Sequence, residues 1–181
     1  MFKRQFESDL AKDFRIVAFD LRGHGCSGKP WAEAAYAGTK VWADDVAAVI
    51  AAHKLVRPVI VGWSFGGYLA ALAVLRRPDV FHAAVAGAPV TEWRLYDTHY
   101  TERYLGDPSV DAAPYDATSL SVDAPRLTRP LMLIHGLADD NVVAAHTLQM
   151  SSALLAAGRP HEVLPLSGVS HMTPQEIVAE N

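Results

Sequence analysis

The residues best suited to chemistry are Gly62-Trp63-Ser64-Phe65-Gly66, a serine between glycines where a β-branched run meets an alanine-rich helical stretch. Such a serine sits on a sharp strand-to-helix turn that lifts its hydroxyl above the carboxyl edge of a sheet. A hydroxyl is a weak nucleophile until a base takes its proton and an acid orients that base. In this architecture the chain order is serine, acid, histidine, with the last two on loops after later strands. Asp139 follows Ser64 by 75 residues, after a strand-like run, and His171 lies 32 residues further on, after the last such run. The Phe65 N–H, next after the nucleophile, is the expected oxyanion donor. Asp140, beside Asp139, reads as a loop or helix-cap carboxylate. Of the other histidines, His24 lies in a turn, His53 and His146 on helices, and His82 before a strand. His99 is in an irregular stretch, while His135 and His161 belong to or border strands. Structural roles suit all seven. The constellation predicts a serine hydrolase working through an acyl-enzyme.

The elements that must carry these residues alternate between β-rich runs and helical patterns, the mark of a parallel sheet with crossover helices. Residues 15–19 (Arg-Ile-Val-Ala-Phe) predict a strand, followed by the Gly-rich turn 22–28. Residues 41–54 have helical apolar spacing. Residues 58–62 (Pro-Val-Ile-Val-Gly) predict a strand buried on both faces. A helix follows over 66–77, then strands over 83–87 and 130–134, a helix over 144–157 and a last strand over 161–164. The segment 91–129, rich in Tyr, Asp and Pro, predicts short helices and loops over the sheet, a length usually tied to function. Thr173, Pro174 and Glu176 have the N-cap, first-position proline and capping-box spacing of a final helix.

The 181 residues carry a net charge of −4 and no basic stripe, which argues against a nucleic-acid partner. Hydrophobic residues make up 50%, but 29 of the 181 are alanine, so Val, Leu, Ile and the aromatics must build the core. Cys26 is the only cysteine and cannot form an internal disulfide, which fits a reducing compartment. No run reaches the roughly 18 apolar residues of a membrane span, and the charged start lacks a signal-peptide core. These features predict a cytoplasmic protein with no membrane partner. No His/Cys/Asp cluster has metal-ligand spacing and no dinucleotide motif opens a helix, so neither a metal nor a cofactor is expected. All five lysines lie in the first 54 residues, and the remaining 127 have eight arginines and no lysine.

The sequence resembles the α/β-hydrolase superfamily. Over residues 6–62, the run Phe14-Arg-Ile-Val-Ala-Phe-Asp-Leu-Arg-Gly-His-Gly25 and the helical stretch from Val41 resemble small esterase and perhydrolase-type enzymes. From Gly62 onward the chain resembles the catalytic domain of the prolyl oligopeptidase family, most closely its dipeptidyl peptidase IV branch. The motifs are Gly62-Trp-Ser-Phe-Gly-Gly67, Ala88-Pro-Val-Thr-Glu-Trp93, Tyr100-Thr-Glu-Arg-Tyr104 and Ile134-His-Gly-Leu-Ala-Asp-Asp-Asn-Val142. The resemblance implies a three-layer α/β fold with a mostly parallel sheet, lacking the leading strands, in one catalytic domain over 1–181 truncated at both ends. It places nucleophile, acid and base on Ser64, Asp139 and His171. It also implies that Val90, Trp93, Tyr96, Tyr100 and Val142 line a small apolar pocket and that Asn141 contacts substrate backbone. From the residues alone, clustered Trp and Tyr suit either a flat ring such as proline's or plain core packing.

The family's β-propeller or N-terminal extension, which reads the substrate's amino end, has no counterpart here, nor has the turn that supplies a second oxyanion donor. The lysine boundary near the change of resemblance suggests a recombined or truncated chain. The favoured function is a peptidase domain cleaving small peptides, with carboxylester hydrolysis as the alternative. The rival from another class is a non-catalytic fragment, with sheet edges exposed for self-association.

Overall fold

A computed structural model describes residues 3–36 and 39–172. The described residues divide into two compact units, one up to residue 55 and one from residue 56 onward. In the second unit the β-branched and small-residue runs form four strands, β1 (Val59–Trp63), β2 (Ala83–Gly87), β3 (Leu131–Gly136) and β4 (Glu162–Leu166). They lie in the order β1-β2-β3-β4 with every neighbouring pair parallel. The connections are α4 (Phe65–Arg76) between β1 and β2, and α7 (Ala145–Ala156) between β3 and β4. Between β2 and β3 run α5 (Thr98–Leu105), α6 (Ala113–Thr118) and a 3₁₀ turn over Leu120–Arg126. The α/β alternation read from the sequence is thus a wholly parallel sheet.

Strand side chains alternate between faces, and register aligns one row of them. Ile60, Ala84, Ala86, Leu131 and Leu133 pack with Ala71, Val74 and Leu75 of α4 and Met150 and Leu154 of α7. Alanines on β2 let α4 settle close to the sheet, while the leucines of β3 fill the volume toward α7. The 3₁₀ turn adds Leu120 and Ala124 to the same core. Its Asp123, 4% exposed, is held by Arg76 of α4 at 2.7 Å. Helix α7 closes at Gly158, which takes a φ of +65° while Arg159 N returns to Leu154 O at 2.8 Å, the helix-ending geometry glycine permits.

One expectation for the sheet changes. The run 58–62 is not buried on both faces: β1 is an edge strand, with Val59 at 49% and Val61 at 54% exposure, and only its Ile60 and Gly62 face the core. Pro165 on β4 marks the other edge, where a strand tolerates a residue without an N–H. The predicted final helix from Thr173 lies outside the described residues.

The first unit contains α1 (Lys3–Glu7), α2 (Leu10–Asp13) and α3 (Thr39–Ala52). The strand expected at 15–19 does not form: among the described residues the segment has no ladder partner, and extended backbone becomes a strand only when paired. Arg15 instead donates to His53 O at 2.7 Å. The turn 22–28 is real, with Gly23 and Gly25 at φ of +81° and +45°. Arg22 anchors it through a bidentate pair with Asp45 of α3, both contacts 2.6 Å. That pairing holds the Asp45 carboxyl below its usual range.

Candidate active site

Ser64 joins β1 to α4 with φ +59° and ψ −121°, a conformation that costs a non-glycine residue energy and persists only where packing enforces it. Its N–H donates to Gly87 O at 2.8 Å, and its carbonyl accepts from Tyr68 N at 3.0 Å. The close approach rests on Gly62 and Gly67, because a Cβ on Gly62 would strike the Gly66 carbonyl and one on Gly67 the Gly87 carbonyl. A Cβ on Gly66 would meet nothing within 4 Å. The packing glycines of the turn are therefore the first of the G-x-S-x-G pattern and the one just after it, not Gly66. Phe65 N is the first N–H of α4, among the helix-start donors that no intrahelical carbonyl satisfies.

Asp139 follows β3 and His171 follows β4. Since the strands are parallel, both loops emerge at the carboxyl edge at which Ser64 ends β1. Ala138 N donates to Val169 O at 3.0 Å and Leu137 N to Leu166 O at 2.9 Å, tying the two loops together. Gly136 permits this, as a Cβ there would collide with Val169 O. Asp139 is 6% exposed; its Oδ1 accepts from Asn141 N at 3.0 Å and Val142 N at 2.8 Å. Its Oδ2 accepts from His171 Nδ1 at 2.8 Å. A carboxylate only accepts, so the proton sits on Nδ1, and the neutral imidazole carries its lone pair on Nε2, the form a general base requires. Trp63 Nε1 donates to His171 O at 2.8 Å, so the residue beside the serine also fixes the backbone of the histidine. Asp140 is exposed.

The residues expected to form a pocket divide into two sets. Val90, Trp93 and Val142 are buried in one cluster with Tyr115, with Tyr96 packed against it. Tyr100 is 45% exposed and stacks on Trp93 at 6.3 Å between ring centroids. Tyr96 stands edge-on to both, and its hydroxyl donates to Asn141 Oδ1 at 3.1 Å, which brings the polar member of the predicted set to the aromatic ones. Sequence reasoning missed the side chains of Phe65 and Tyr68, which extend the array: Phe65 stacks on Tyr68 at 5.9 Å, and both approach Trp93. Their i, i+3 spacing at the start of a helix was the available signal. Burial pushes the hydroxyls of Tyr68 and Tyr100 above their ordinary range, keeping them protonated donors. Among the described residues no group of three or more His, Cys, Asp or Glu could hold a metal ion, and no helix is long and apolar enough to cross a membrane.

A model of the prolyl oligopeptidase family matches residues 2–180. Dipeptidyl peptidase 8 of Homo sapiens is 46% identical over 105 residues, covering 56% of this chain and 12% of that protein. A probable dipeptidyl-aminopeptidase B of Sclerotinia sclerotiorum is 36% identical over 170 residues, covering 87% of this chain and 18% of its own length. The crystal structure of Porphyromonas gingivalis dipeptidyl peptidase 4 superposes with a TM-score of 0.71 at 34% identity, over 84% of this chain and 23% of that one. The chain thus spans less than a quarter of the length of these relatives. The match from residue 2 to residue 180 corrects the notion of a recombined chain, since one family covers both sides of the lysine boundary.

Proposed function

Because the chain belongs to the prolyl oligopeptidase family, we propose that it is a serine peptidase domain in which Ser64, Asp139 and His171 form the catalytic triad. The observation that carries this is the 2.8 Å contact of buried Asp139 with His171 Nδ1, at the sheet edge where the strained Ser64 turn ends β1. Ser64 Oγ attacks the substrate carbonyl while His171 Nε2 takes its proton. The Phe65 N–H stabilises the oxyanion. His171 then protonates the departing amine, leaving an acyl-Ser64 ester. Water, deprotonated by the same imidazole, releases the acid product. Asp139 keeps the ring oriented and stabilises its charged form throughout.

Trp93, Tyr96 and Tyr100 present ring faces and edges suited to a small flat side chain such as proline before the scissile bond, with Asn141 turned toward substrate backbone. Buried Val90 and Val142 form the base of that wall. Residues 1–181 act as one catalytic domain in this reading, which one family model over both units supports.

A fluorophosphonate probe tests the assignment. The parent chain is expected to label covalently and Ser64→Ala not at all; equal labelling of both refutes it. Hydrolysis of a Gly-Pro arylamide, weighed against a short-chain nitrophenyl ester, then separates peptidase from esterase. Faster turnover of the ester alone overturns the peptidase reading while leaving the triad in place.

A further inference from the structure

We infer that His135 is a positioning residue that fixes the Asp139 carboxylate toward His171, an inference that rests on the triad reading above. Position 135 continues the row of Leu131 and Leu133 on the core face of β3, where alternation calls for another apolar side chain. A histidine stands there instead, 1% exposed, and both ring nitrogens are engaged. Nε2 lies 2.7 Å from Val142 O, and Nδ1 lies 2.7 Å from Thr147 Oγ1 on α7. A carbonyl only accepts, so Nε2 carries a proton.

The target of that proton matters. Val142 N donates to Asp139 Oδ1 at 2.8 Å, so His135 grips the residue that grips the carboxylate. The same Nε2 stands 3.6 Å from Asp139 Oδ2, the oxygen that receives His171 Nδ1. That separation exceeds a hydrogen bond, so His135 acts on the carboxylate through Val142 and not by direct contact. Thr147 sets the ring's rotation from the far side. The chain Thr147–His135–Val142–Asp139 therefore transmits the rigidity of α7 and β3 to the acid. An apolar side chain at 135 would fill the space and leave the buried Val142 carbonyl without its donor.

His135→Leu and His135→Gln separate this role from mere core filling, since glutamine can place an amide N–H near the Nε2 position. On a small arylamide or ester turned over by the parent, His135→Leu is expected to lose about 10²-fold in kcat, the scale of an ångström-sized misplacement, with KM little changed. His135→Gln should recover most of that loss. The His171 Nδ1 proton resonance, followed by NMR, should keep its downfield position in His135→Gln and move in His135→Leu. Thr147→Val is the gentler second probe should His135→Leu fail to fold, with a smaller loss of kcat and a smaller shift of the same resonance. Parental kcat with an unmoved resonance in folded His135→Leu, or in Thr147→Val where the leucine variant does not fold, overturns the inference. Labelling that survives Ser64→Ala would instead sink the triad, while the resonance, which needs no turnover, still reports whether His135 governs the Asp139–His171 contact.

Discussion

His146 is fully buried, and its Nδ1 accepts from Glu92 N at 3.3 Å while its carbonyl accepts from Thr91 Oγ1 at 2.7 Å. It ties the start of α7 to the segment that carries Trp93 and Tyr96. Burial, reinforced by the nearby His135, pushes its pKa from 6.5 down to about 4. The folded state thus holds the neutral ring, while the unfolded chain takes up a proton near the ordinary value. The stabilisation is fully present above about pH 6.5 and is lost as pH falls toward 4, amounting to about 3 kcal/mol in all. Urea midpoints measured at pH 7, 5.5 and 4 should fall steeply in the parent and less so in His146→Leu. Parallel curves for the two proteins would place the acid sensitivity elsewhere.

The strand–turn–helix element has two adjacent glycines with opposite consequences. Gly67 faces the Gly87 carbonyl, so Gly67→Ala forces α4 away from β2 and should destabilise by about 1–3 kcal/mol. Gly66 faces open space within a helix, and Gly66→Ala should be neutral or stabilise by up to about 1 kcal/mol. Thermal melts of the two variants check this, the expected order being Gly66→Ala at or above the parent and Gly67→Ala below it. The same element imposes the positive φ of Ser64, whose strain is sustained by the hydrogen bond to Gly87 and by the core beneath α4. The backbone geometry of Ser64 is thus a property of the β1–α4–β2 packing.

At the scale of the molecule, β1 and β4 end a four-stranded parallel sheet, and β1 leaves two valines more than a third exposed. An edge of this kind is a template for pairing with another chain. Concentration-dependent association is therefore expected, and Val61→Lys should reduce it while changing stability by no more than about 0.5 kcal/mol. Sedimentation velocity over a hundredfold concentration range reads the outcome; identical behaviour of parent and variant removes β1 as the contact.

The placement of Ser64, Asp139 and His171 just after successive strands was legible because strand–helix alternation and chain order are local patterns. The parallel sheet itself was legible for the same reason. Three things lay beyond local pattern. The strand at 15–19 did not form, because pairing depends on a neighbour and not on composition. The valines of β1 read as buried, but they point to the face away from α4 and stay exposed there. Trp63 had no role of its own in the sequence reading and His135 read as structural, yet one holds the backbone of His171 and the other the turn around Asp139. Those contacts join residues from 7 to 108 positions apart. Composition and periodicity report what a residue prefers around it, whereas only the folded chain decides which hydrogen-bond partner arrives there.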